Sequence, residues 1–358
     1  MIGVGTLATA IVAEVDAWGT VHQGSVRLGW CVRGGSDWLV PGRDGPARRS
    51  RPHAAPVVQT ALRISGGDAI GRVYAVGDGD DGIVVAEVEN DSPEAIAVAF
   101  VVDAPGVVAV DTGGVRVDGV SVVAFARRPG AVESDNRIVF PVPHRTTVRV
   151  ALTGAPVDVR ALPDADAVGR AWDRLLDRGL RTELPEPLQS EVDAARADLL
   201  LAPPSADAFA TLEAWGLDAE AIEMWARLPT RARRAARRIR AAGVLAEARA
   251  ALVREQGRAI EVLPGFPVAW LGCPIAAHGV PLRHGLCSFA LRWHGGRPAL
   301  LWDVPIGSTV RVPALDPTWS SSEPVGETLL AEPPPALLSM GERAARIGTS
   351  VDAPDQFS

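Results

Sequence analysis

The chain has 358 residues, of which 47% are hydrophobic and 22% are charged, the balance of a globular protein with a large buried core. Its formal net charge of -7 argues against a nucleic-acid partner and against an anionic membrane surface. All 36 basic residues are arginine, which excludes P-loop nucleotide hydrolases, pyridoxal enzymes and protein kinases, because each of these needs a lysine.

Cysteine usage and the N-terminus bear on the cellular compartment. The three cysteines, Cys31, Cys273 and Cys287, are too few and too far apart for a disulfide framework and suit a reducing environment. The apolar N-terminus lacks the basic residues of a signal peptide, and no run reaches the roughly 18 apolar residues of a membrane span. We therefore expect a cytoplasmic protein without a membrane segment.

Cofactor motifs are absent from the sequence. The run Gly3-x-Gly5-x-x-Ala8 matches a loose dinucleotide fingerprint, but no strand precedes it and the residues that follow have the pattern of a strand, not a helix. We therefore predict no cofactor.

Residues 1–157 have the pattern of short strands separated by turns. Within Ser25–Arg33, the side chains of Val26, Leu28, Trp30 and Val32 fall on one face, which is the period of a half-buried strand. Further strands are predicted at 57–64, 70–76, 83–88, 95–102, 107–110, 120–126, 138–142 and 146–152, whereas 41–56 resembles a long exposed loop. About ten short strands at this spacing favour an antiparallel β-sandwich.

Residues 158–261 have helical periodicity, and strands return at 262. Helices are predicted at 166–180, 188–201, 206–215, 219–228 and from Pro229 to about Gly257, with Ser205 and Asp218 as N-caps. Residues 262–332 predict a small β domain with a tight hairpin at His294-Gly-Gly, and 333–358 form a polar tail. The predicted fold class is therefore mainly β with a helical insert, α+β and multidomain, with boundaries after 157, 261 and 332.

Four potential metal ligands lie close together in the sequence. Cys273, His278, His284 and Cys287 supply two thiolates and two imidazoles, which are ligands of tetrahedral zinc. Structural zinc sites usually pair their cysteines more closely, however, and Cys287 shares the apolar face of its strand as a core thiol would. We therefore predict no metal site.

Six arginines crowd the segment Arg231–Arg240. A basic helix can follow a phosphate backbone, but no aromatic residue lies between these arginines to stack on bases, and the whole chain is acidic. A solvated helix face, or a surface that docks a protein partner, is the better interpretation.

Carboxylates lie among tryptophans between residues 212 and 225. Hydrolysis of a sugar bond needs two carboxylates, one of them protonated, and aromatic rings offer flat faces to sugar rings. Glu213 and Glu220 are therefore candidates for acid and base, and Trp215 and Trp225 are candidates for stacking. A helix packed on a core explains the same pattern, with Glu223 in an ordinary surface pair.

Several segments resemble a known family. The runs Ser25–Arg33, Pro56–Asp68 and Val84–Pro93 resemble the β-sandwich that precedes the barrel in six-hairpin glycosidases. The runs Ser288–Asp303 and Leu315–Ser322 look like the β domain that follows that barrel.

The resemblance implies a carbohydrate-associated protein with a reduced helical domain. A barrel of about twelve helices does not fit into about a hundred residues at 10 to 14 residues each, so no catalytic acid or base is carried over from the family. We expect a glycosidase-like, carbohydrate-associated protein and favour a non-catalytic role over that of a glycoside hydrolase. If it binds a glycan, Trp319 is a third stacking candidate. The alternative is a structural or interaction protein whose helical insert and Arg231–Arg240 helix dock a protein partner.

Overall fold

The structure is a computed structural model that describes residues 1–7, 10–77, 82–133, 135–236, 241 and 243–334. Strands account for 43% and helices for 21% of the described residues, which confirms the prediction of a mainly β chain that also contains helices. The chain divides into two compact units. Among the described residues, unit 1 contains Met1–Leu175 and Leu200–Pro203, and unit 2 contains Leu176–Leu199 and those from Pro204 onward.

Unit 1 contains fifteen strands among the described residues. They are β1 (Ile2–Thr6), β2 (Ala10–Val15), β3 (Val21–Gln23), β4 (Val26–Arg33), β5 (Ala47–Ser50), β6 (Val58–Ile64), β7 (Gly67–Val76), β8 (Ile83–Asn90), β9 (Ile96–Asp103), β10 (Val108–Val110), β11 (Gly114–Val117), β12 (Val120–Phe125), β13 (Ala131–Val132), β14 (Arg137–Val142) and β15 (Thr147–Leu152).

These strands form two antiparallel sheets. One has the order β1-β2-β3-β4-β9-β14-β13 and the other β10-β11-β12-β15-β8-β7-β6-β5. Side chains from both sheets enter one hydrophobic core, with Leu28 and Phe100 from the first sheet and Leu62 and Val88 from the second. The period of two in the sequence produces this arrangement, because alternate side chains point to the core.

Unit 2 combines helices with two further sheets. Helix α1 (Ala165–Leu176) lies in unit 1 except for its last residue. The helices of unit 2 are α2 (Leu188–Leu201), whose last two residues lie in unit 1, α3 (Ala206–Ala214), α4 (Asp218–Arg227), α5 (Thr230–Ala236) and α6 (Val244–Leu252). The strands are β16 (Arg181–Glu183), β17 (Val253–Gln256), β18 (Ala259–Val262), β19 (Ile275–Leu282), β20 (Gly285–His294), β21 (Arg297–Asp303), β22 (Thr309–Val312), β23 (Asp316–Ser321) and β24 (Val325–Leu329).

The sheets of unit 2 have five and four strands. The five-stranded sheet is antiparallel, in the order β16-β19-β20-β21-β24. The four-stranded sheet has the order β17-β18-β22-β23, with β18 and β22 parallel. Helices α3 to α6 and the strands that follow them thus fall in one compact unit, whereas the sequence predicts a domain boundary after residue 261.

The prediction of one continuous helix from Pro229 to about Gly257 is wrong. Within the described part of this region, α5 ends at Ala236, α6 begins at Val244, and Val253–Gln256 is a strand paired with β18. Cross-strand pairing overrides the helix propensity there, and Gly257, with a φ of 65°, makes the turn between the two strands.

Two other predictions concern the ends of the elements. Ser205 is the N-cap of α3 as predicted, since its side chain accepts a hydrogen bond from the Ala208 amide. The N-cap of α4 is Leu217 instead of Asp218. Residues 335–358 of the predicted polar tail lie outside the described residues. Among the residues that the structure describes, no helix is long and apolar enough to cross a bilayer.

Candidate functional site

A cavity of about 660 Å³ lies in unit 2 among helices α3, α4, α5 and α6; we call it the helical cavity. The described residues that line it are two aromatic residues, Phe209 and Trp225, one carboxylate, Glu213, one guanidinium, Arg249, and six alanines. The alanines are Ala210, Ala214, Ala236, Ala241, Ala246 and Ala250. Two of the residues predicted from the sequence, Glu213 and Trp225, therefore line the same cavity.

Alanine positions explain why space remains between the helices. On α3, Ala210 and Ala214 are four residues apart, and on α6, Ala246 and Ala250 have the same spacing. Residues at this spacing share one helix face, so each helix presents two methyl groups to the cavity where larger side chains would fill it. The volume lies within the range of about 300 to 1,000 Å³ typical of ligand sites.

The aromatic wall is a pair of rings in contact. The ring centroids of Phe209 and Trp225 are 4.9 Å apart, with the planes inclined at 47°. The guanidinium carbon of Arg233 lies 5.7 Å from the Trp225 centroid, and its Nη2 donates to the Ala226 carbonyl at 2.7 Å. The ring of Trp225 is thus held by a neighbour from α3 and a neighbour from α5, which gives it a defined orientation.

Glu213 supplies the carboxylate of the cavity at its exposed rim. Partial burial raises the pKa of Glu213, and repulsion from the Asp218 carboxylate raises it further. Such a group keeps its proton to higher pH than an ordinary glutamate, so near its pKa it can both donate and accept a hydrogen bond.

Arg249 fixes the relative position of three elements around the cavity. Its Nε donates to the Ala214 carbonyl at the end of α3 at 3.0 Å, and its Nη2 donates to the Pro281 carbonyl of β19 at 2.7 Å. Burial lowers the pKa of Arg249, and the Glu255 carboxylate opposes that shift. Arg249 therefore acts as a positioning residue that joins α6 to α3 and β19.

Glu220, predicted as the second catalytic carboxylate, is not among the residues that line the helical cavity. Its carboxylate accepts a hydrogen bond from Nη2 of Arg178, and its side chain is 12% exposed. The carboxylate that acts on the pKa of Glu213 is instead Asp218, at the start of α4.

The prediction that Trp215 is an exposed stacking residue is wrong. Its side chain is 0% exposed, its Nε1 donates to the Leu245 carbonyl at 3.2 Å, and the guanidinium of Arg196 lies 5.6 Å from its ring. Trp215 ends α3 on the face that packs into unit 2, and no sugar ring can reach it there.

Trp319 lies away from the helical cavity, on β23. It makes an edge-to-face contact with Trp302 at a centroid distance of 5.1 Å and is partly exposed. Its role as a stacking residue stays a prediction.

The four potential metal ligands differ in solvent exposure. His278 and His284 are exposed, whereas Cys287 is 0% exposed, and burial raises the pKa of its thiol to about 12. In the described part of the chain, no group of three or more His, Cys, Asp or Glu side chains has the arrangement of a metal site.

The basic segment Arg231–Arg240 is described in part. Arg231 and Arg234 on α5 are exposed, while the side chain of Arg233 is engaged at Trp225. Residues 237–240 lie outside the described residues, so the continuous basic helix stays a prediction.

Sequence reasoning missed Phe209 and Arg249. Phe209 precedes Glu213 by four residues, and this spacing places both on one face of α3, which is a signal visible in the sequence. Arg249 comes from a different helix, and no local pattern indicates that its guanidinium reaches α3.

Comparison with protein-family models, with curated proteins and with solved structures gives no match for this chain. The resemblance to six-hairpin glycosidases thus stays a prediction.

Proposed function

We propose that the helical cavity binds a small carbohydrate and does not hydrolyse it. The observation that carries the proposal is the presence of the Phe209–Trp225 ring pair and the Glu213 carboxylate in the walls of one cavity. A sugar ring has an apolar face that packs on an aromatic ring, and its hydroxyl groups donate to a carboxylate or accept from a carboxylic acid.

The lining of the cavity supports binding over hydrolysis. Glycosidases place two carboxyl groups on opposite sides of the substrate, about 5 to 10 Å apart. Among the described lining residues Glu213 is the single carboxylate, and Glu220 is engaged by Arg178. A glycan would then be held by stacking and hydrogen bonds, with no second carboxyl group to act as nucleophile or base.

A glycan array with the full chain tests the proposal, with calorimetry on each hit. Ala246→Leu adds a branched side chain at the cavity wall, and Glu213→Gln removes the charge of the carboxylate. We expect Ala246→Leu to abolish binding and Glu213→Gln to weaken it by about tenfold, the equivalent of about 1.4 kcal/mol for one hydrogen bond to a charged group.

Matched controls exist on α4 outside the cavity. Ala219→Leu and Glu223→Gln make the same chemical changes at exposed positions and should leave affinity unchanged. If the wild-type protein binds no glycan on the array, or if binding is retained in Ala246→Leu, the helical cavity is not a carbohydrate site.

Docking of an acidic protein partner is the second candidate, supported by the exposure of Arg231 and Arg234 on α5. Charge reversal at both positions should then abolish a salt-sensitive complex while leaving glycan binding intact, since neither residue lines the cavity. A complex that forms equally well with both charges reversed would eliminate this candidate.

A further inference from the structure

The last strand, β24, lies at one edge of the five-stranded sheet in the described structure. It pairs with β21, with Val325 opposite Asp303 and Glu327 opposite Leu301. At the two ends of this pairing, the Val304 amide donates to the Pro324 carbonyl at 2.7 Å and the Leu330 amide donates to the Pro298 carbonyl at 2.9 Å.

These two bonds fix the direction of every backbone group in β24. In an antiparallel pair, residues whose N–H and C=O groups bond to the neighbouring strand alternate with residues whose groups point away. Since Pro324 and Leu330 bond to the β21 side, the groups of Val325, Glu327 and Leu329 point to the open edge. One of them has a partner, because Arg297 Nη2 donates to the Leu329 carbonyl at 3.4 Å.

The side chains of the same residues form an apolar, acidic, apolar row. Val325 and Leu329 are 64% and 46% exposed, and Leu301 beside them on β21 is 39% exposed. Natural edge strands are protected by charged residues, most often lysine, by a proline, by a bulge or by their short length. The one charged residue of β24 is Glu327, and the strand has five residues. The sequence of β24 contains no basic residue and no proline, and its pairing with β21 runs without a register shift.

The negative charge around β24 indicates which kind of strand can pair with its open edge. The segment 317–334 carries three carboxylates, Glu323, Glu327 and Glu332, and no basic residue. All three side chains are exposed. In a symmetric antiparallel pair centred on Glu327, a second copy of the chain would place this residue against its own equivalent, and like charges directly opposite are destabilising. A strand with a basic residue opposite Glu327 meets a complementary charge.

We propose that the open edge of β24 takes up an extended segment of a protein partner with the pattern apolar, any residue, basic, any residue, apolar. The segment adds a sixth strand to the sheet. Its main chain bonds to the outward groups of Val325 and Glu327 and to the outward amide of Leu329. Its basic side chain lies opposite Glu327, and its apolar side chains cover Val325 and Leu329. None of the residues of the helical cavity takes part.

NMR of the full chain tests the proposal by measuring amide hydrogen exchange and chemical shifts. Two synthetic peptides serve as ligands, one that contains Val-Thr-Arg-Thr-Val and one that contains Val-Thr-Glu-Thr-Val. We expect the amides of Val325, Glu327 and Leu329 to exchange fast in the free protein and to become protected by the arginine peptide. The amides of Gly326 and Thr328 should exchange slowly in both states. The glutamate peptide should bind about two- to fivefold more weakly than the arginine peptide, the effect of one cross-strand charge pair.

Two variants separate edge pairing from other binding. Glu327→Pro removes the outward amide but leaves the bonds of Gly326 and Thr328 to β21, so peptide affinity should fall several-fold in a folded protein. Glu327→Arg should reverse the preference between the two peptides. Equal affinity for both peptides, absence of binding at millimolar peptide, or a dimer of the chain that protects the same amides would overturn the proposal.

Discussion

Tyr74 donates a hydrogen bond from its hydroxyl group to the Glu87 carboxylate, at an oxygen separation of 3.0 Å, in the interior of unit 1. Arg149 donates to the same carboxylate oxygen from Nε at 3.1 Å and also donates to the Leu162 carbonyl at 3.0 Å. Glu87 is 4% exposed, and its burial raises its pKa, while Arg149 and Tyr74 oppose that shift. This buried cluster attaches the segment before α1 to the eight-stranded sheet.

Removal of the carboxyl group of Glu87 should cost more stability than removal of the hydroxyl group of Tyr74. Glu87→Ala leaves both the guanidinium of Arg149 and the hydroxyl group of Tyr74 without their partner, and we expect a loss of about 3–5 kcal/mol in the free energy of unfolding. Tyr74→Phe removes one hydrogen bond to a charged group, and we expect a loss of about 1.5–3 kcal/mol. Urea unfolding measures both losses, and the reverse order would show that the charge pair is not the main contributor.

Replacement of Trp215 and replacement of Trp225 should differ in their effect on stability and not only on ligand binding. Trp215→Ala deletes a fully buried ring together with its bond to the Leu245 carbonyl, so we expect a loss of about 3–5 kcal/mol. Trp225→Ala removes a half-buried ring that contacts Phe209, and we expect less than half of that loss. Thermal and urea unfolding of both variants provide the comparison; equal losses would contradict the different burial of the two rings.

Asp218→Asn should lower the pKa of Glu213. The Asp218 carboxylate raises that pKa by like-charge repulsion, so its neutralisation moves the Glu213 titration toward the ordinary value near 4.5 without reaching it, because the burial contribution remains. NMR titration of the Glu213 side-chain carboxyl carbon measures the shift. Asp207→Asn, a neutralisation at the other end of α3, is the control and should leave the titration of Glu213 in place.

The raised pKa of Glu213 also sets the sign of its effect on stability. A folded-state pKa above the unfolded value means that the folded state binds the proton more tightly. The contribution of Glu213 is therefore fully present below the unfolded pKa and is lost as the pH rises through the folded pKa. Glu213→Gln should remove this part of the pH dependence, and an unchanged stability profile between pH 4 and 7 would contradict the direction of the shift.

The ion pair of Glu220 and Arg178 should contribute little. Arg178 is 54% exposed, and exposed ion pairs usually contribute less than about 1 kcal/mol because solvent screens them. A double-mutant cycle with Glu220→Gln and Arg178→Gln should give a coupling energy below that value. Glu220→Gln should also leave any glycan affinity unchanged, and loss of affinity in this variant would return Glu220 to the binding site.

The sequence predicts the elements of unit 1 better than those of unit 2, for a physical reason. Most strands of unit 1 are half-buried, so their alternation of apolar and polar residues is visible, as in Val26–Arg33. Ala47–Ser50 was missed because this edge strand has three polar residues and no alternation, and pairing with β6 determines its conformation. In Val253–Gln256, pairing with β18 likewise determines the conformation, and local propensity does not reveal it.

The sequence predicts part of the candidate site. Glu213 and Trp225 are of residue types that bind sugars, and both line the helical cavity. The sequence cannot distinguish Trp225 from Trp215, because the burial of a ring depends on which other helices cover it. Arg249 contacts α3 and β19 across more than thirty residues of chain, a relationship that only the tertiary fold reveals.

Gly326 should be intolerant of a side chain, in contrast to Gly296 in the hairpin turn between β20 and β21. A Cβ atom at Gly326 would lie 2.3 Å from Cζ2 of Trp302, whose ring is 7% exposed and whose Nε1 donates to the Glu323 carbonyl at 2.9 Å. Because that hydrogen bond and the contact with Trp319 hold the ring in place, Gly326→Ala should destabilise the protein by about 1–3 kcal/mol, as overpacking of a core does. Gly296→Ala is the matched control: no atom lies within 4 Å of a Cβ there, and we expect a change within about 0.5 kcal/mol. Urea unfolding of the two variants measures the difference, and equal stability of both would show that the Trp302 ring does not pack against β24 in solution.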